Sequence, residues 1–115
     1  MDESILESVK KDIGAFVENE DESAFDSTLV RYINSVFFTL HQLGVGPEMG
    51  FKITDSTNQW SEYISDSENL ELVKSYMSMK VGLMFDPPAS SFVLDARKEM
   101  CDVAEWRLRM AVGAM

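Results

Sequence analysis

"KVGLMFDPPASS", residues 80–91, sets an oily run, a double proline and a pair of serines side by side. The oily part reads as the end of one helix and the serines as the start of another. Pro87 biases Asp86 away from the helical region, and neither Pro87 nor Pro88 has an amide hydrogen to donate. "ASS" then supplies cap candidates. Asp86, Pro87 and Pro88 therefore read as a stiff joint that sets where the last helix leaves.

Upstream of the joint, the pattern predicts a helix over about 67–85, opened by a capping box of Ser65 and Glu68. Leu70, Val73, Met77, Val81 and Met84 form one apolar stripe, and Leu72, Tyr76, Met79 and Leu83 form a second. Glu71, Ser75, Ser78 and Gly82 make a third side of mostly small residues. A helix oily on two sides belongs at the centre of a domain. Its small third side admits a close neighbour, in the same chain or in another subunit.

Downstream, a last helix is expected over about 90–111. Leu94, Met100, Cys101, Val103, Ala104, Leu108 and Ala111 are assigned to its buried side. Asp95, Glu99, Asp102 and Arg109 are assigned to its wet side, with Lys98–Asp102 and Glu105–Arg109 as favourable four-residue pairs. Trp106 falls among the wet residues.

Toward the N-terminus, Leu29, Tyr32, Ile33, Val36, Phe37, Leu40 and Leu43 form a broad apolar stripe, predicting a helix over about 25–43. Ser23 and Asp26 resemble a capping box at its start, and Gly44 stops it. Phe38 lies among Arg31, Asn34, Ser35, His41 and Gln42, an oily residue on a polar face. Ile5, Leu6, Val9 and Ile13 have helical spacing and Gly14 follows them, so a short amphipathic helix begins the chain. "VENEDES" is a solvated linker by composition.

Residues 44–66 are different material. Three glycines and Pro47 break any helix, "FKIT" alternates like a short strand, and "DSTN" is a turn signal. "WSEYI" fits either one helical turn or an edge strand. An irregular stretch of this length in a small domain is usually functional or docked on a partner. The expectation is an all-α fold, a single domain over 1–115. It has a short acidic N-terminal helix and linker (1–23), three long helices, and a long irregular, β-hairpin-like insert.

The totals narrow the function. The net charge is −10, most of it in residues 1–26, where nine acids face Lys10 and Lys11. That argues against an electrostatic nucleic-acid binder, which needs Lys and Arg to neutralise phosphates. Hydrophobic residues make up 45% of the chain, too many for a disordered acidic tail. Cys101 is the one cysteine and permits no intrachain disulfide. "MDESILESVKK" lacks the order of a signal peptide, and no window approaches the length of a membrane span. A soluble protein made inside the cell is expected, with no membrane partner.

Catalysis has little to stand on. His41 is the sole histidine, and a site needs convergent groups. Cys101 lies on a buried stripe, where an inert thiol is the default. Zinc spacing is absent, and the carboxylates of residues 18–22 lack the alternation and glycine of a calcium loop. "GVGPEMG" has no Lys or Ser/Thr to hold a phosphate. No enzyme, no cofactor and no metal is expected. The internal methionines Met77, Met79, Met84 and Met100 fit core stripes as gap-fillers.

"RYINSVFFTLHQLGVGPEMGF" (31–51), Trp60, "VKSYMSMKVGLMFDPP" (73–88) and "EWRLRM" (105–110) together resemble the small head–tail connector, or adaptor, proteins of tailed phages and prophages of Gram-positive bacteria. The match runs in order over roughly residues 4–110. The resemblance implies a structural helical protein in the virion neck, without a cofactor. It implies a ring of about a dozen copies under the portal protein, in keeping with closed homo-oligomeric symmetry. The ring would extend the channel through which DNA passes without specific binding, and tail-completion and stopper proteins would dock on it. Phe38 and Trp106 are expected as interface anchors, with Phe51, Trp60 and Tyr63 of the insert beside them. The alternative class is a small acidic phage-encoded regulator or inhibitor that binds one protein partner.

Overall fold

A computed structural model describes residues 3–14, 25–64 and 67–113 of the chain. Its elements in order are α1 (Ile5–Ile13), α2 (Asp26–Gln42), a 3-10 turn (Trp60–Glu62), α3 (Ser67–Phe85) and α4 (Ser91–Gly113). α2 and α4 lie within a residue or two of their expected limits, α3 matches its expected limits, and α1 ends before Gly14 as expected. No named strand occurs among the described residues.

Local chemistry accounts for the helix ends. Ser4 caps α1 by accepting from the Glu7 amide at 3.2 Å. Gly14 then turns left-handed, at φ 75°, to close it. α2 ends in a paired return: the Gly44 amide donates to the His41 carbonyl at 3.0 Å and the Val45 amide to the Leu40 carbonyl at 2.9 Å. Gly44 holds φ 86° there, a conformation a side chain resists. Both arrangements were legible as a glycine after an apolar stripe. The start of α2 was not. Phe25 occupies the cap without a side-chain hydrogen bond. Asp26, expected in a capping box, turns instead to Lys10 of α1 at 2.9 Å. Ser23, and the Ser65–Glu68 box, lie outside the described residues and side chains.

α3 is central, as its two oily sides require: it packs against α1, α2 and α4. Val73, Tyr76, Met77 and Val81 are fully buried. The small third side receives α1 of the same chain. Ser78 donates to Asp12 at 2.7 Å, and Gly82 lies 3.6 Å, from an added Cβ, under the Ile13 side chain. Lys74 reaches Glu3 at 2.9 Å on the same seam. α1 is thus stapled to α3 by charge and hydroxyl contacts along its length, while Ile5, Leu6 and Val9 fill the core.

The joint forms as its prolines dictate. α3 stops at Phe85, with the Asp86 amide still donating to Gly82 at 2.9 Å. After the two prolines, Ser90 opens α4: its carbonyl accepts from Leu94 at 3.0 Å, and its hydroxyl lies 3.4 Å from the Val93 amide. α4 then runs back antiparallel to α3, so that Glu105 meets both Tyr76 and Lys80. The molecule is flat, with principal extents of 45 × 36 × 22 Å.

Candidate functional site

The insert and α4 both carry large aromatic residues, but the chain uses them differently. In the insert, Trp60 and Tyr63 are buried, and with Phe37 of α2 and Phe51 they form a ring cluster. Phe37 lies 4.7 Å from Tyr63 and 5.0 Å from Phe51, and 6.1 Å from Trp60, centroid to centroid. The polar ends of these rings are satisfied inside the chain. The Trp60 indole donates to Ser8 of α1 at 2.9 Å, and the Tyr63 hydroxyl to the Val45 carbonyl at 3.3 Å. Trp60 and Tyr63, expected at an interface, are therefore core residues whose rings no partner can reach. Phe51 is half-buried against the same cluster.

The "FKIT" segment alternates like a strand because Ile53 is buried while its neighbours Lys52 and Thr54 are exposed. Its hydrogen-bond partner is a side chain. Asn34 on α2 accepts from the Ile53 amide at 2.7 Å and donates to the Ile53 carbonyl at 2.9 Å. One carboxamide thus does what a neighbouring strand would do. Sequence reasoning placed Asn34 on the wet face; only its spacing among Ile33, Phe37 and the glycine exit hinted at more. Further on, Asn58 and Asp55 accept from turn amides, and Gln59 and Glu62 cap the 3-10 turn. The "WSEYI" segment is one helical turn, tied to α1 by an isolated bridge between Ser4 and Gln59.

α4 shows the opposite economy. Cys101, Ala104 and Leu108 are its buried residues. Phe92, Val103, Trp106 and Met110 lie on the far side, at exposures from 45 to 81%. They recur at helical spacing on the outer face of α4, Val103, Trp106 and Met110 together and Phe92 three turns earlier beyond Glu99. Met100 and Val103, assigned to the buried side, are corrected to the exposed side: α3 packs along one stripe of α4 and leaves them outside. Glu105 also departs from expectation. It turns inward, accepting from the Tyr76 hydroxyl at 2.9 Å and pairing with Lys80 at 3.5 Å, so it does not pair with Arg109. Lys98 and Asp102 make no ion pair with each other either. Burial, with Glu105 alongside, holds the Tyr76 phenol well above its ordinary range.

Phe38 is 62% exposed and Trp106 is 61% exposed, each on an ordered helix. An exposed large aromatic on an ordered helix is the kind of surface a partner covers. Phe38 borders a groove of about 520 Å³ between α2 and the insert, lined by His41, Met49, Phe51 and Lys52 among others. His41 holds its ring in place by donating from Nε2 to the Glu48 carbonyl at 2.9 Å.

A model of the phage connector protein family matches residues 5–114. The chain belongs to the phage connector protein family. No curated protein and no solved structure matches it significantly. The family is one of bacteriophage structural proteins, so a structural part in joining head to tail, as a virion component working alongside other phage structural proteins such as the portal, follows for this connector.

The connector's remaining chemistry suits that part. Among the described residues no group of three or more His, Cys, Asp or Glu side chains could hold a metal, and no helix is long and apolar enough to cross a membrane. Cys101 is buried, and burial pushes its thiol up, with Lys80 opposing in part. A thiol so placed is a packing residue. Asp86, Pro87 and Pro88 form a corner between α3 and α4, with Asp86 and Pro87 exposed and Pro88 half-buried. They place α4, and through it the apolar ridge.

Proposed function

We propose that this connector is a ring subunit at the head–tail junction of a tailed phage of Gram-positive bacteria. About a dozen copies, each touching the next through two different patches, close a ring on the portal protein. Tail-completion and stopper proteins dock on the ring, and DNA passes through it without specific binding. Phe38 and Trp106 anchor the contacts, with Phe51 at the edge of the first patch. The observation that carries the reading is the outer face of α4 with Phe92, Val103, Trp106 and Met110, an ordered apolar face left exposed by the described residues. A net charge of −10 supports the channel role, because surface carboxylates repel the phosphates of a sliding duplex.

The regulator alternative needs an acidic arm available to a partner. Among the described acids of that arm, Glu3, Asp12 and Asp26 are engaged with Lys74, Ser78 and Lys10 of the same chain, which favours the connector reading. Mixing the purified chain with its cognate portal and imaging the product tests the proposal. An added ring of density on the portal is the expected result. A chain that ignores the portal, yet binds one basic protein with an affinity falling steeply with salt, would overturn it.

A further inference from the structure

Two surfaces of this chain complement each other and cannot meet within one copy. The first is the α2–insert groove. Its open side carries Phe38, half-buried Phe51 and almost fully exposed Met49. Its rim is basic: Lys52 lines the groove, and Arg31 lies two helical turns before Phe38 on the same side of α2. These are the two lysine or arginine residues between positions 27 and 73, in a chain of net charge −10. Among the described residues neither makes an ion pair, and the acids nearest Lys52 in sequence are Asp55 and Glu48.

The second surface is the outer ridge of α4. Asp95, Glu99 and Asp102 follow one another at i, i+4 and i+7, and the next step along the same row is Trp106. All three carboxylates are exposed, and none makes an ion pair among the described residues. Arg107 flanks the other side of the ridge. The ridge is therefore convex and apolar with an acidic flank, while the groove is concave and apolar with a basic rim. Cys101, Ala104 and Leu108 turn the opposite side of α4 to the bundle, so Val103 and Trp106 face outward, while Asp102 stands at the mouth of a groove it shares with Ser35 and Thr39 of α2.

We infer that α4 of one copy seats Trp106 in the α2–insert groove of the next, with Glu99 and Asp102 meeting Arg31 and Lys52. This rests on the ring reading above and names the surfaces that would make the ring. Opposite charge favours this pairing: Arg31 and Lys52 stand on the groove side and Asp95, Glu99 and Asp102 on the ridge side, whereas two grooves face to face would oppose their own cations. Both halves are on this chain, so the occupant is a second copy. The contact is one-directional and repeats from copy to copy.

The test uses two double variants of the full chain, Arg31→Glu with Lys52→Glu, and Glu99→Lys with Asp102→Lys. All four residues are exposed, and melting curves confirm that each variant folds. Assembly on the cognate portal is measured by sedimentation and imaging. Each variant alone is expected to assemble at least tenfold more weakly than the wild type. Their equimolar mixture is expected to recover assembly in which the two variants alternate, because every contact again joins unlike charges. If the groove variant alone assembles like the wild type, the pairing is overturned while the connector reading stands. A mixture that stops at dimers also overturns it, since that is the product of ridge on ridge. A wild-type chain that fails to assemble on the portal overturns the connector reading and this pairing together.

Discussion

The aromatic insert and the α4 ridge are equally oily in sequence, yet one is closed and the other open. Phe37, Trp60 and Tyr63 are packed ring against ring, with Phe51 at the margin, and the indole and Tyr63 hydroxyl have acceptors within the chain. Phe92, Val103, Trp106 and Met110 are left largely exposed. The difference comes from how many elements surround each one. The insert lies over α2 and touches α1, which gives its side chains contacts on several sides. α4 has α3 along one stripe, and the corner at Asp86–Pro88 carries its other face outward. The insert therefore adds to the core, while α4 leaves its outer face exposed.

The contrast breaks most visibly at Trp60. Trp60→Ala removes a fully buried ring and its hydrogen bond to Ser8, and is expected to cost about 4 kcal/mol in denaturant unfolding. A loss of under 1 kcal/mol would show that the insert is not core. Asn34→Ala leaves the Ile53 amide and carbonyl without their partner, an expected cost of about 3 kcal/mol in the same measurement. Gly46→Ala should cost about 2 kcal/mol. At φ 90°, the added Cβ would come within 2.5 Å of the Tyr63 ring, so backbone and ring must both shift.

Alkali sharpens the comparison more gently. Burial raises the phenols of Tyr63 and Tyr76, so the folded chain holds those protons more tightly than the unfolded chain does. Their contribution is fully present below the unfolded tyrosine value of about 10 and is lost as pH rises above it. Stability from urea midpoints should fall above that pH by up to about 1.4 kcal/mol per pH unit for each phenol. Tyr63→Phe with Tyr76→Phe should flatten the slope; an unchanged slope would mean the phenols are already open to solvent.

The smallest effect on stability is expected at the open surface. Trp106→Ser and Phe38→Ser should each shift unfolding by no more than about 0.5 kcal/mol, the usual range for surface positions. Both should nonetheless prevent assembly on the portal. A large drop in melting temperature from either would place it in the core and dissolve the contrast drawn here.

Much of this was legible before any coordinates. Apolar spacing at 3.6 residues, a glycine after each of the first two stripes and a double proline after the third mark the helices, because helix starts and stops are local chemistry. The two oily sides of α3 foretold its central place. Phe38 and Trp106 stood out as exposed for the same reason, since each sits among charged and polar residues on its own helix. Trp60 and Tyr63 could not be sorted in that way. They lie in an irregular stretch with no periodicity to assign a face, and aromatic residues suit a core and an interface equally.

The chain's own pattern thus set the number, limits and amphipathic faces of the helices, and the corner before α4, because these depend on residues within a few positions of each other. Contacts between distant residues were decided by the tertiary structure alone. Asn34 could become the partner of Ile53, Lys10 the buried counter-ion of Asp26, and Ser8 the acceptor of Trp60 only once the helices had met. The same holds for the sides of α4. A stripe of apolar residues states that burial is favourable, but how wide a stripe is covered depends on how many neighbours arrive, and here α3 packs along one stripe and leaves the outer face exposed.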